Sequence, residues 1–179
     1  MEIFTVENND HKKFLRKQTK RFTFSKKEGF SINGKKFTKN EINELLLKMK
    51  KTMREAHGIG LSANQIGCPY RLFVAEVPGK DKELKFYAIF NPNIETVKGG
   101  EIVPLEEGCL SVPHIRGIVK RFYEVKLSGL DKNGKPVKIR AWGMLAHVFQ
   151  HEVDHLDGVL FINRTKEIYK ISDNKEPSQ

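Results

Sequence analysis

Sulfur is scarce in this sequence and long apolar runs are missing from it. The 179 residues include two cysteines, Cys68 and Cys109, too few for a disulfide framework. A reducing cytosol suits such a chain, and there a cysteine is free to serve as a metal ligand. No apolar run reaches the ~20 residues of a membrane helix, so no membrane partner is expected. The opening Met1-Glu2-Ile3-Phe4-Thr5-Val6 lacks the charged-then-apolar order of a secretory signal. The basic segment 11–21 could mimic an organelle presequence, but Glu2, Glu7 and Asp10 and its lack of helical amphipathicity argue against one. There is no internal repeat and no interdomain linker. The length predicts one domain over 1–179 with a real core and a polar tail over 165–179.

What is abundant is positive charge: 32 Lys and Arg against 22 Asp and Glu, a formal +10. One reading is a solvated basic surface that aids solubility; the other is a phosphate-bearing partner such as RNA or a ribosome. The lysines look scattered and no nucleic-acid motif accompanies them, so no specific nucleic acid is expected.

The chemistry is concentrated in Gln150-His151-Glu152-Val153-Asp154-His155-Leu156-Asp157-Gly158. Residues four apart share a helix face, so His151 and His155 can grip one metal ion. Glu152, beside the first ligand, is placed to work on a metal-bound water. Two histidines are one ligand short. The candidates for a third are Cys109, His57, His114 and His147. His147 lies one turn before His151, but three histidines at spacings of four rarely converge on one tetrahedral ion, because each turn rises ~5.4 Å. It reads as a wall residue. Cys109 follows Gly108 in a loop leaving a strand, and its thiolate would be a strong ligand; a buried structural thiol is the alternative.

Local patterns predict the elements. Residues 3–37 read as extended, with a hairpin at 30–37 around Asn33-Gly34. Thr38 and Glu41 form a capping box for a helix running to about 57, with Ile42, Leu45, Leu46, Met49, Met53 and Ala56 as its apolar stripe and Gly58 as its stop. The Gly-rich stretch after it follows a helix, and no Lys-Ser/Thr succeeds it, so phosphate binding is not expected. Strands are predicted at 71–77 and 84–90, the latter broken by Asn91-Pro92-Asn93, then at 118–130 and 136–141 around an Asn133-Gly134 turn. The motif helix should begin near Trp142 and end at Asp157-Gly158, followed by a short apolar strand or core segment at 159–162 and a frayed tail after 171.

Three motifs occur in one order: Gly58-Ile59-Gly60-Leu61-Ser62-Ala63-Asn64-Gln65, Glu107-Gly108-Cys109-Leu110-Ser111, and Gln150-His151-Glu152-Val153-Asp154-His155. In these, and over about 15–163, the chain resembles the peptide deformylases. The resemblance implies an α+β fold, with antiparallel β-sheets packed around a central metal-binding helix and one further N-terminal helix. It implies removal of the formyl group from the N-terminal formyl-methionine of newly made polypeptides, in the cytoplasm, with a ribosome contact compatible. It implies Cys109, His151 and His155 as metal ligands, Glu152 as general base and acid, and help from the Gln65 amide and the Leu110 N–H. Ile59, Gly60, Leu105, Met144, His147 and Val148 are implied around the substrate, with Arg116 near the entrance. The implied active ion is Fe2+; the donor set also suits Zn2+. Asp154 should brace the fold by pairing with an arginine such as Arg121.

Several features depart from that pattern. Ser62 stands where alanine is usual, His147 where apolar residues are common, and 27–36 reads as an inserted hairpin. The proline often found before the counterpart of Leu15-Arg16 is missing, and the short C-terminus is expected to lack the long terminal helix of some relatives. Two rivals remain. A zinc endopeptidase would take its third ligand downstream, from Asp157, Glu167, Asp173 or Glu176. A basic RNA- or ribosome-binding module with a structural metal would need no catalytic Glu152.

Overall fold

The computed structural model describes residues 1–79 and 81–171. A two-turn helix, α1 (Asn9–Leu15), comes first. The sequence pattern predicted extended chain there. The helix forms because the Asn8 side chain accepts from the N–H groups of Asp10 and His11, and because Leu15 at its end is fully buried. Among the described residues the α+β architecture thus has two α-helices besides the motif helix instead of one.

Next come β1 (Thr23–Ser25), β2 (Gly29–Ile32) and β3 (Lys35–Phe37), an antiparallel three-stranded sheet. The predicted Asn33-Gly34 turn is present, with both residues at positive φ (49° and 81°), as the twist of a two-residue hairpin requires. α2 (Lys39–Glu55) starts on the predicted Thr38/Glu41 capping box and buries Ile42, Leu46, Met49 and Met53. Its stop lies one residue earlier than expected. His57, not Gly58, takes the left-handed conformation (φ 54°), and Gly58 N–H bonds back to Met53 O at 2.9 Å.

The second sheet has five antiparallel strands in the order β10-β9-β6-β5-β4, with β4 (Gly60–Ser62) at one edge. β5 (Leu72–Pro78) is buried along all but its last residue. Leu72 and Val74 face the core under α2, while Phe73, Ala75 and Val77 face the core under the motif helix. β6 (Leu84–Thr96) is not broken at 91–93: it continues past Pro92 with a register shift between Phe90 and Asn93. Proline lacks an N–H and is tolerated where the ladder is already interrupted.

The predicted strand 118–130 is two strands. β7 (Ile102–Cys109) pairs with β8 (Val112–Phe122) in a third sheet, and β9 (Glu124–Leu130) joins β6 in the second. Tyr123 carries the chain across. β10 (Pro136–Trp142) completes the second sheet and leads into α3 (Gly143–Leu156), the motif helix. α3 touches β4, β5, β6, β9 and β10 on one side and β8 on the other. The apolar segment at 159–162 forms a 3-10 turn, Phe161–Asn163, rather than a strand, with Leu160 and Phe161 buried. β11 (Ile168–Lys170), within the expected polar tail, adds to the free edge of β8. The frayed tail predicted after 171, with Asp173 and Glu176, lies outside the described residues. No helix among the described residues is long and apolar enough to cross a membrane.

Candidate metal centre

The helical period sets half of the site. On α3, His151 and His155 lie four residues apart, and their Nε2 atoms approach to 3.2 Å. The other half arrives on β7, whose last residue, Cys109, sets its Sγ 3.1 Å from His155 Nε2. All three donor atoms lie within 4.8 Å of one another. Two imidazole nitrogens and a sulfur suit a tetrahedral borderline cation, whose bonds of ~2.0–2.3 Å put neighbouring donors about this far apart. The electrostatics agree. Burial pushes the Cys109 thiol up, but His155 and His151 outweigh it and bring it to about 5. Burial alone would strip the proton from His151, yet hydrogen bonds to Cys109 and Glu107 raise it well above the usual imidazole range. A thiolate and a carboxylate converging on a buried imidazole favour positive charge there, and a divalent cation supplies it.

Glu107 was missed as a functional residue. Its carboxylate is buried, accepts from Arg121 Nε at 2.7 Å, and lies 2.7 Å from His151 Nδ1 and 3.1 Å from His147 Nε2. Burial raises its pKa, but His147, His151 and Arg121 hold it well below the carboxylate range. A carboxylate on the outer ring nitrogen fixes the tautomer and orientation of a metal-binding histidine. The signal available in the sequence was strand alternation: residue 107 shares a face of β7 with 109. Arg121 also donates to Asp154 at 2.5 Å, the pairing expected for Asp154, and Arg164 bonds the same carboxylate. His147 is thereby tied to Glu107 and stands as a wall residue. His155 has no such carboxylate: among the described residues its Nδ1 has no partner, and its backbone O accepts from Asn64 Nδ2 at 2.6 Å.

β4 clamps Glu152. Gly60 and Ser62 share one face of the strand. A Cβ at Gly60 would lie 2.3 Å from Glu152 Oε1, so only glycine lets the carboxylate in. Ser62 Oγ lies 2.6 Å from Glu152 Oε2 and 2.9 Å from its backbone O, so the hydroxyl can donate to either. The Ser62 hydroxyl therefore offers the motif carboxylate a hydrogen bond that an alanine would lack. Burial raises the Glu152 pKa, against the opposing pull of His151, His155 and Ser62. Gln65 sits in a 3-10 turn just after β4. Its Oε1 accepts from Ser62 N–H at 2.8 Å, and its Nε2 donates to Ser111 Oγ at 3.1 Å and points toward Cys109 Sγ at 3.7 Å. Leu110 begins the two-residue turn joining β7 to β8.

These groups open on a cleft of about 760 Å³. Its walls include every residue expected around a substrate: Ile59, Gly60, Leu105, Arg116, Met144, His147 and Val148. Gln65, Cys109, Leu110, His151 and Glu152 line it too. Arg116 lies across Gly108 and reaches Glu106 only at 3.9 Å. His57 and His114 also face the cleft but are not part of the three-donor cluster. Of the downstream alternatives, Asp157 is bonded to Arg71 at 2.5 Å, and it is Cys109 that clusters with the two histidines.

An α+β scaffold with a half-buried Cys-His-His cluster and an adjacent glutamate on an open cleft defines a metal-dependent hydrolase. The polypeptide deformylase family model matches residues 9–170, and the chain belongs to that family. It is 44% identical over 137 residues to a peptide deformylase of Syntrophobacter fumaroxidans, covering 72% of this chain and 79% of the relative. With that of Aquifex aeolicus it shares 41% over 127 residues, 70% and 74% of the two chains. Among solved structures, a probable peptide deformylase from Synechococcus phage S-SSM7 superposes with a TM-score of 0.75 at 31% identity, covering 92% of this chain and 99% of the other. The Synechococcus elongatus peptide deformylase in complex with actinonin gives 0.75 at 32% identity, covering 93% and 79%. The chain is accordingly a peptide deformylase enzyme, acting on nascent peptides with the help of a metal.

Proposed function

We propose that this protein hydrolyses the N-formyl group of formyl-methionyl polypeptides, with Cys109, His151 and His155 holding one Fe2+ ion, replaceable by Zn2+. The observation that carries this reading is the convergence of three donor atoms, the Glu152 carboxylate and the Gln65 amide on one cleft. Bound there, the ion supplies Lewis acidity and lowers the pKa of a water from ~15.7 toward ~7. Glu152 takes a proton from the attacking water and passes it to the departing amine; its raised pKa suits both halves of that transfer. Ser62 and Gly60 fix the carboxylate while this happens. The Gln65 Nε2 and the Leu110 N–H donate to the formyl oxygen as negative charge builds on it, and one such donor is typically worth ~3 kcal/mol. Formate and a free amino terminus leave.

Substrate binding follows from the walls. β4 lies at a sheet edge, so a peptide can add to it through backbone hydrogen bonds that ignore side-chain identity. Leu105, Met144, His147 and Val148 form the methionine pocket, Ile59 its rim, and Arg116 holds the peptide near the entrance. A cytoplasmic enzyme of this kind meets its substrate as the chain leaves the ribosome, and the charge of +10 accords with a contact there. The test is amine release from formyl-Met-Ala-Ser by protein purified anaerobically and loaded with ferrous iron, beside acetyl-Met-Ala-Ser and a longer N-blocked peptide. Release from the formyl peptide alone is expected. No release from a folded, metal-loaded protein would overturn the reading, and an internal cut would move it to an endopeptidase.

A further inference from the structure

The positive charge is not scattered. Residues 12–39 contain eleven Lys or Arg and one acid, Glu28; subtracting them from the chain's 32 and 22 leaves 21 of each. The whole formal excess of +10 therefore sits on the stretch from Lys12 in α1 through the first sheet to Lys39 at the start of α2, and the remainder is neutral. All eleven side chains are exposed. Among the described residues, only Lys13 and Lys36 of the eleven have an acidic partner within 4.0 Å, Asp10 and Glu28. Elsewhere, nine of the described basic residues are ion-paired, among them Arg54, Arg71, Arg121 and Arg140. Solubility does not need such segregation, since interspersed charges serve it equally.

We propose that this face docks on the phosphate backbone of double-helical RNA. A row of unpaired cations on a rigid surface matches a polyanion and releases its counterions on binding. The aromatic residues of the segment point the other way. Phe22 and Phe30 are buried, and Phe14, Phe24 and Phe37 are half-buried, packed edge-on or tilted against Phe4, Phe30 and Phe22, so no fully exposed ring is offered to an unpaired base. That favours a duplex, read by shape and backbone. The surface is a built one: Phe22, Phe30 and Ile32 anchor the sheet in the core under α2. The turn between β9 and β10 abuts it, with Gly134 against the Phe24 ring, which brings Lys132 and Lys135 alongside. No residue of 12–39 lines the catalytic cleft, so an RNA held here leaves the cleft open to a peptide end.

The test compares two variants of equal net charge. One carries Lys17→Glu, Arg21→Glu, Lys26→Glu and Lys27→Glu. The other carries four reversals at exposed lysines of the neutral remainder: Lys98→Glu, Lys120→Glu, Lys126→Glu and Lys138→Glu. Fluorescence anisotropy with a labelled RNA duplex of about 20 base pairs, titrated across KCl concentrations, gives Kd and its salt slope. The wild type should bind with a Kd of about 10 µM or tighter near 0.1 M KCl. The first variant should bind at least about tenfold more weakly, with a slope shallower by about one for each phosphate it no longer neutralises. The second should stay within about twofold of the wild type. Amine release from a formyl-methionyl peptide, retained in both, reports the fold separately, and RNA binding is read without catalysis. Equal loss in both variants, no binding by the wild type, or binding to anionic lipid vesicles but not to RNA would each overturn the proposal.

Discussion

α2 and α3 are helices of similar length buried by opposite means. α2 presents one apolar stripe, Ile42, Leu46, Met49 and Met53, and keeps its charged residues on the outer face, where Lys50 and Arg54 pair with Glu76 of β5. α3 buries ten residues, of which His147, Gln150, Glu152, Asp154 and His155 are polar. A buried polar group is costly unless it is hydrogen-bonded. Here the partners come from other elements: Glu107 on β7, Arg121 on β8, Ser62 on β4 and the backbone of Phe122. α2 is thus held by transfer of hydrocarbon out of water. α3 is held by a network that exists only once the sheets have assembled, and that network also orients the metal ligands.

Substitutions on the two helices should separate these roles. Glu152→Gln keeps the shape of the side chain and removes the proton acceptor; deformylation should fall by about 10²–10⁴-fold, while bound metal, measured by elemental analysis, stays at wild-type stoichiometry. Asp154→Ala leaves Arg121 buried with Glu107 as its remaining anion and should cost about 3–5 kcal/mol in urea unfolding. Met49→Ala opens a cavity in a fully buried position of α2 and should cost about 3 kcal/mol. It should leave the turnover of the folded fraction unchanged. Thr38→Ala removes the capping box and should cost about 1 kcal/mol, again without a change in turnover. If Met49→Ala changed turnover at full folding, or Glu152→Gln lost metal, the division between the helices would fail.

The same difference explains what the sequence made legible. α2 could be read from its stripe and its Thr38/Glu41 cap because both are local. The ligand pair on α3 could be read from the helical period, and Cys109 from the motif around it. Glu107 lies in the same motif and alternates with Cys109 along β7, but its role went unread because its partner His151 is 44 residues away. α1 was hidden because seven residues carry too little periodicity, and because the burial of Leu15 that holds it depends on tertiary contact. The passage from β8 to β9 leaves no break in strand propensity: the chain changes sheets at a single bend, Tyr123. Pro92 misled in the opposite direction, since a proline at a register shift does not end a strand. The charge segregation was visible in the sequence by counting segment by segment, and only the total hid it.

The central claim is that Cys109, His151 and His155 bind a single ion between α3 and β7. X-ray absorption spectroscopy on the zinc-loaded protein tests it most directly. The expected first shell has one sulfur at about 2.3 Å and two imidazole nitrogens at about 2.0–2.1 Å, with the sulfur lost in Cys109→Ser. A first shell without sulfur in the wild type, or one unchanged in Cys109→Ser, would contradict the account.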